Sequence, residues 1–176
     1  MQFRNTPERF GVISQSLHWL TVVLVVILWA LGNVGDDRSP ALFAHMSLGV
    51  VILGVLVARL VWRLQDPPPK PVPTPFGRWG DRIARVTHVL LYSLVAAAPL
   101  SGIAFQFARG QALAFFGFEI ASPGMLPRAT ARSIKEVHEV LANALLIVAL
   151  AHAAAALLHH WILRDRTLRR MLPGDS

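Results

Sequence analysis

The stretch VHEVLANALLIVALAHAAAALLHHWIL, residues 137–163, decides the fold. From 140 to 163 it has no Lys, Arg, Asp or Glu. That exceeds the ~20 apolar residues needed to cross a bilayer core. His138 and His152 lie 14 residues apart, and His159 follows 7 residues later. At roughly 100° per residue both steps return to nearly the same helix face. Histidines stacked down an apolar membrane-length helix are costly unless each ring has a partner.

The rest of the chain repeats the pattern. Its 176 residues are 54% hydrophobic and only 15% charged. Residues 10–35, 39–58 and 86–108 are also free of Lys, Arg, Asp and Glu. This gives an all-α membrane protein, one four-transmembrane-helix bundle spanning 1–176, with helices near 12–34, 41–64, 84–107 and 136–163. The first span is too long for a signal-sequence core, lacks a good cleavage site and carries His18, so it is read as a retained helix. Without cysteine there are no disulfides, iron–sulfur ligation, thiol catalysis or covalent c-type haem.

Basic residues in short loops set orientation. Arg63, Lys70, Arg78, Arg82 and Arg85 flank the second connection, and Arg164, Arg166, Arg169 and Arg170 fill the tail, against Asp36, Asp37 and Arg38 in the first connection. Both termini are therefore expected to be cytoplasmic, in a multi-pass membrane protein. The net charge of +7 is mostly this topology signal, with the tail near anionic lipid heads, and is not a nucleic-acid footprint. Six prolines between Pro67 and Pro75 make 65–80 an extended cytoplasmic linker. Residues 108–135 are expected to form a loop on the outer side, which is the periplasmic side if the membrane is a bacterial inner one. Pro99 and Gly102 are expected to kink the third helix.

Depth from the charged ends sorts the histidines. His18 and His152 fall in the inner half, His45 and His138 in the outer half. The two levels on the fourth helix are about 21 Å apart at ~1.5 Å rise per residue. Two matched pairs point to bis-histidine ligation of two stacked, non-covalent haems between bundle helices. Satisfied core polars are the plainer alternative. A zinc site is weaker, because its ligands must converge on one point. Gly49, Gly54 and the alanines around His152 let helices approach or leave room for a flat macrocycle. Arg59 and Arg63 are expected to snorkel to the inner surface.

The chain resembles the bacterial cytochrome b561 family, small four-helix dihaem proteins of the bacterial inner membrane that include superoxide oxidase, which implies that location here. The resemblance rests on SLHWL at 16–20, HMSLGV and ARLVWRL in the second helix, HVLLY and APLSG in the third, and HEVLAN, AHAAAALLHH and RDRTLRRMLP at the end. It implies two haem b groups, with iron held by His18 and His152 and by His45 and His138. It also implies electron transfer from superoxide at the periplasmic face to ubiquinone near the cytoplasmic face. Alternatives are a quinol-oxidising cytochrome or membrane anchor serving a periplasmic redox protein, and a non-haem proton or metal-ion carrier.

His159 continues the helix face towards the inner interface. Together with the resemblance, this marks it as a quinone residue able to relay protons. His88, 3 residues past Arg85, is either a second quinone residue or a helix-end polar group. His160, turned ~100° away, is a lipid-interface residue. Arg109, Arg128, Arg132 and Lys135 above the outer haem are candidates for steering superoxide. The competing roles for these bases are pairs with Glu119, Glu136 and Glu139, or with haem propionates. Phe115, Phe116 and Phe118 seat this loop at the membrane interface.

Overall fold

The computed structural model describes residues 2–34 and 39–174. The first connection, with Asp36, Asp37 and Arg38, lies outside the described residues. The order of elements is α1 (Val12–Val34), α2 (Pro40–Gln65), α3 (Gly77–Ala108), β1 (Leu113–Phe115), β2 (Phe118–Ile120) and α4 (Arg128–Trp161), then one 3-10 turn (Arg169–Met171). All four α-helices are long and apolar enough to span a membrane. Little of each apolar window is buried within the bundle, and Val57, Val140, Ile147 and Leu150 face outward. In water such a surface would drive aggregation, whereas lipid solvates it and the helices satisfy their own backbones.

α1 pairs with α2 and α3 with α4, and the two hairpins join chiefly through α2 and α3. The centre is an aliphatic layer of Leu24, Val25, Ile52, Leu56, Leu94, Val95 and Leu145. On every helix these residues fall between the sites described below. Ser39 starts α2: its hydroxyl accepts from the Leu42 N–H at 3.2 Å, and Pro40 follows as the first helical residue. The side-chain acceptor fills one of the orphan donors, and proline lacks a donor to orphan.

Two helices start earlier than the uncharged runs. α3 begins at Gly77 instead of near 84, so the linker shortens to 66–76. α4 begins at Arg128 instead of near 136, so the loop shortens to 109–127. Charge marks where a helix leaves the apolar phase and does not end it: Arg78, Arg82 and Arg85, like Arg132, Lys135 and Glu136, occupy helical turns beyond that boundary. α4 stops at Trp161, and Arg164 adopts a left-handed φ of 53° in the turn that follows. α3 runs unbroken through Pro99. Proline has no N–H to give the carbonyl four residues back.

The 109–127 loop contains a two-residue β-hairpin, with Leu113 opposite Ile120 and Phe115 opposite Phe118. Phe116 (φ 45°) and Gly117 (φ 84°) are both left-handed, the pattern of a tight hairpin turn whose twist matches its strands. β1 packs on α2 and α3 through buried Leu113, while Phe116 and Phe118 project outward. At the opposite end the N-terminal segment, the 66–76 linker and the tail are tied together. The Arg170 guanidinium donates to the carbonyls of Pro7, Glu8 and Lys70, Arg9 donates to Leu172 O, and Trp19 Nε1 donates to Met171 O at 2.8 Å.

Candidate functional site

The histidines gather at two levels. At the hairpin end, His45 of α2 and His138 of α4 face each other, ring centres 6.1 Å apart and planes at 89°. His45 Nδ1 meets Leu28 O of α1 at 2.9 Å, and His138 Nδ1 meets Ala98 O of α3 at 2.8 Å. A carbonyl only accepts, so each Nδ1 carries the proton and each Nε2 keeps its lone pair. Ligating histidines are held in this way by their outer nitrogen.

Glycine makes the approach feasible on both sides. A Cβ on Gly32, one turn after Leu28, would stand 3.2 Å from His45 Cε1. A Cβ on Gly102, one turn after Ala98, would stand 3.0 Å from His138 Cε1. Ser101 Oγ adds a 3.2 Å contact to His138 Nδ1. The α1–α2 and α3–α4 hairpins thus carry the same device: a carbonyl, a glycine one turn on, and a facing histidine. The ring separation suits a shared metal atom. Two metal–imidazole bonds of about 2 Å, plus roughly an ångström from each nitrogen to its ring centre, give ~6 Å. By this test the pair fits axial ligation of a haem. Among the described residues, no three His, Asp or Glu side chains converge as a metal-ion site.

The level nearer the termini differs from the depth reading. His18 (α1) and His152 (α4) are joined by His88 (α3), whose ring lies 5.2 Å from that of His152 at 71°. His18 lies within electrostatic reach of both. The earlier start of α3 is the reason: His88 sits three turns inside the helix and not at its end. Its Nδ1 is paired with Ala84 O at 2.7 Å. Arg59 does not snorkel. It turns inward, with Nη2 3.3 Å from His18 Nδ1, Nη1 3.2 Å from Thr21 Oγ1 and the guanidinium 5.3 Å from the Tyr92 ring centre.

At the end of α4, His159 Nδ1 is 2.5 Å from Asp165 Oδ2. The other carboxylate oxygen accepts from Thr167 N at 2.8 Å, and Asp165 N donates back to His159 O. Partial burial raises the Asp165 pKa. The hydrogen bonds from His159 and Thr167 outweigh it and hold the carboxyl below its ordinary value. Beside this dyad lies a cleft of about 340 Å³, lined by His160, Trp161, Arg164, Asp165, Arg166 and Arg169. His160 Nδ1 is buried there with no hydrogen-bond partner among the described residues.

At the hairpin end, Arg132 pairs with Glu136 at 3.0 Å and Lys135 with Glu139 at 2.6 Å, both along the exposed first turns of α4. The Arg109 guanidinium lies over the Phe105 ring. Arg128 is the first residue of α4. Gly49 and Gly54 do not seat a neighbouring helix: a Cβ on either would meet nothing within 4 Å.

The family model described as "Prokaryotic cytochrome b561" matches residues 9–174. The chain is 36% identical to "Cytochrome b561 homolog 2" of Escherichia coli K12, covering 100% of this chain and 97% of that protein. It is 34% identical to "Cytochrome b561 homolog 1" of the same strain, covering 94% and 98%. It is 33% identical to the "Probable superoxide oxidase CybB" of Yersinia pestis, covering 94% and 97%.

Proposed function

The chain belongs to the prokaryotic cytochrome b561 family of multi-pass membrane haem proteins, and from that premise we propose that it oxidises superoxide at its hairpin end and reduces ubiquinone at its terminal end. The hairpin end is periplasmic in this reading, the termini are cytoplasmic and the membrane is the bacterial inner membrane. The observation that carries it is the His45–His138 pair, with both Nδ1 protons fixed by carbonyls and both rings seated against glycine. Two non-covalent haem b groups are proposed, one held by His45 and His138, the other by His18 and His152. When bound, haem would supply one-electron redox chemistry.

The balance is two superoxide, one ubiquinone and two protons giving two dioxygen and one ubiquinol. The residues of this chain serve each part. His45 and His138 are locked in the tautomer that leaves Nε2 free. The aliphatic layer around Ile52 and Leu145 keeps water from between the two levels. His159 is the proton donor to a reduced quinone oxygen, and Asp165 fixes the orientation of its ring through Nδ1. His88, beside His152, lies on the quinone side of the inner site. The relative named as a probable superoxide oxidase supports the choice of donor.

Steering by Arg109, Arg128, Arg132 and Lys135 is reduced by the two ion pairs. Between 109 and 139 four bases face three carboxylates, so the long-range field is weak and the expected salt dependence shallow. Rapid mixing of the oxidised protein with superoxide, then with ubiquinone, tests the proposal. Fast appearance of reduced b-type bands and their decay on quinone addition are expected. No reduction by superoxide alongside fast reduction by ubiquinol would reverse the direction and end the superoxide reading.

A further inference from the structure

Arg59 is the one arginine turned into the apolar interior among the described residues with neutral contacts only: His18, Thr21 and Tyr92. Among the described residues no carboxylate touches it, and the salt bridges found among them lie elsewhere. A half-buried guanidinium facing only neutral groups is still costly in an apolar setting, and intramembrane charges pair with one another, with carbonyls or with a bound ion. Its contacts come from both neighbouring helices, His18 and Thr21 of α1 and Tyr92 of α3, so the fork is held and not merely stranded. Tyr92 also hydrogen-bonds it.

The contact to His18 sharpens the point. Arginine only donates, so His18 Nδ1 must be the acceptor and the ring proton sits on Nε2. His45 and His138 show the opposite arrangement, with Nδ1 protonated. A haem iron taken by His18 Nε2 needs that proton moved to Nδ1, where Arg59 can no longer bond. Ligation therefore releases the guanidinium beside the haem, with Thr21 and Tyr92 hydroxyls still next to it.

We propose that Arg59, with Thr21 and Tyr92, forms a carboxylate-binding site inside the membrane that receives a propionate of the inner haem. This rests on the reading that His18 holds a haem at this level. The planar fork suits a carboxylate, and a charged pair in this apolar setting is held by charge-assisted hydrogen bonds. The cation also favours the reduced haem, which carries one positive charge fewer.

The test uses the holoprotein and two variants, Arg59→Gln and Arg59→Lys, with haem labelled with carbon-13 at the propionate carboxyls. Redox titration followed in the visible bands and redox-difference infrared spectra are read together. A unit charge at roughly 10 Å and an effective dielectric of ~20 moves such an equilibrium about tenfold, which is about 59 mV for one electron. Arg59→Gln is expected to lower one haem midpoint by that amount, leave the other in place and shift a label-sensitive carboxylate band. Arg59→Lys keeps the charge without the fork, so it should spare most of the midpoint and still shift the band. It carries the test if the Gln variant does not fold. Unchanged label-sensitive bands in both variants overturn the proposal. A raised KM for quinone with unchanged haem bands also overturns it, assigning Arg59 to a quinone oxygen instead. Absence of b-type bands in the wild-type protein defeats the haem reading itself, a separate failure seen before any variant is made.

Discussion

Replacing Gly102 by alanine loads a small steric change on one ring of the His45–His138 pair. The added Cβ would stand 3.0 Å from His138 Cε1, 3.3 Å from Nδ1 and 3.6 Å from Nε2. Carbon contacts relax at about 3.5–4.0 Å, so the ring must retreat by ~0.5 Å. The same movement stretches the 2.8 Å bond from Nδ1 to Ala98 O. Overpacking costs about 1–3 kcal/mol, while Gly→Ala inside a helix returns ~1 kcal/mol. The net of about 0–2 kcal/mol leaves the bundle folded. Concentrated on a ligand ring, it weakens haem retention at that pair about tenfold, using 1.4 kcal/mol per decade. Haem-to-protein ratio by pyridine haemochromogen, read beside helical thermal unfolding, separates the two effects. Gly32→Ala, with a Cβ 3.2 Å from His45 Cε1, should repeat the loss from the other side. Gly54→Ala, whose Cβ meets nothing within 4 Å, should keep its full haem. Full haem and an unaltered spectrum in Gly102→Ala would refute the reasoning. Equal loss in Gly54→Ala would show a generic glycine effect.

Other expectations follow from the same geometry. His45→Ala and His138→Ala should remove the same haem band and His152→Ala the other; difference spectra of the purified variants check this, and different bands lost from the first two would break the pair. Asp165 is held below its ordinary pKa of 3.8, so its contribution to the tail turn is complete above that value and disappears as pH falls through the lower folded one. Hydrogen exchange of residues 162–174 should therefore accelerate only in strong acid, and Asp165→Asn should abolish that acid step. Arg170→Ala removes three carbonyl contacts linking the N-terminal segment, the linker and the tail. Limited proteolysis should cut these segments sooner in that variant, while Arg132→Ala, whose partner is an exposed neighbour on the same helix, should leave the digest unchanged.

The number of helices was legible because four uncharged runs each reach the ~20 residues of a bilayer crossing. Their ends were not, because helical turns continue past the apolar phase wherever water and charged side chains solvate them. His88 shows the consequence: three residues past Arg85 it reads equally as a quinone residue or a helix-end polar group, yet α3 begins eleven residues before it, and the ring reaches His152. The facing of His45 and His138 followed from depth. Their carbonyl partners did not, because a backbone acceptor at Leu28 or Ala98 leaves no mark in the side-chain sequence. Gly32 and Gly102, one turn after those carbonyls, are the only written trace of the close approach. Arg59 was misplaced because snorkelling depends on helix rotation as well as depth, and rotation is fixed by packing against α1 and α3. Asp165 was missed as the partner of His159 because the turn that folds it back begins only after the apolar run ends.

The aliphatic layer between the two histidine levels has an electrical consequence. Leu24, Val25, Ile52, Leu56, Leu94, Val95 and Leu145 offer no titratable group and no chain of donors and acceptors along which a proton could hop. An electron can tunnel through such material, while a proton needs water or polar stepping-stones. Charge passed from one level to the other therefore travels unaccompanied. Each transfer would work as one stroke of charging a capacitor, with the membrane as its dielectric.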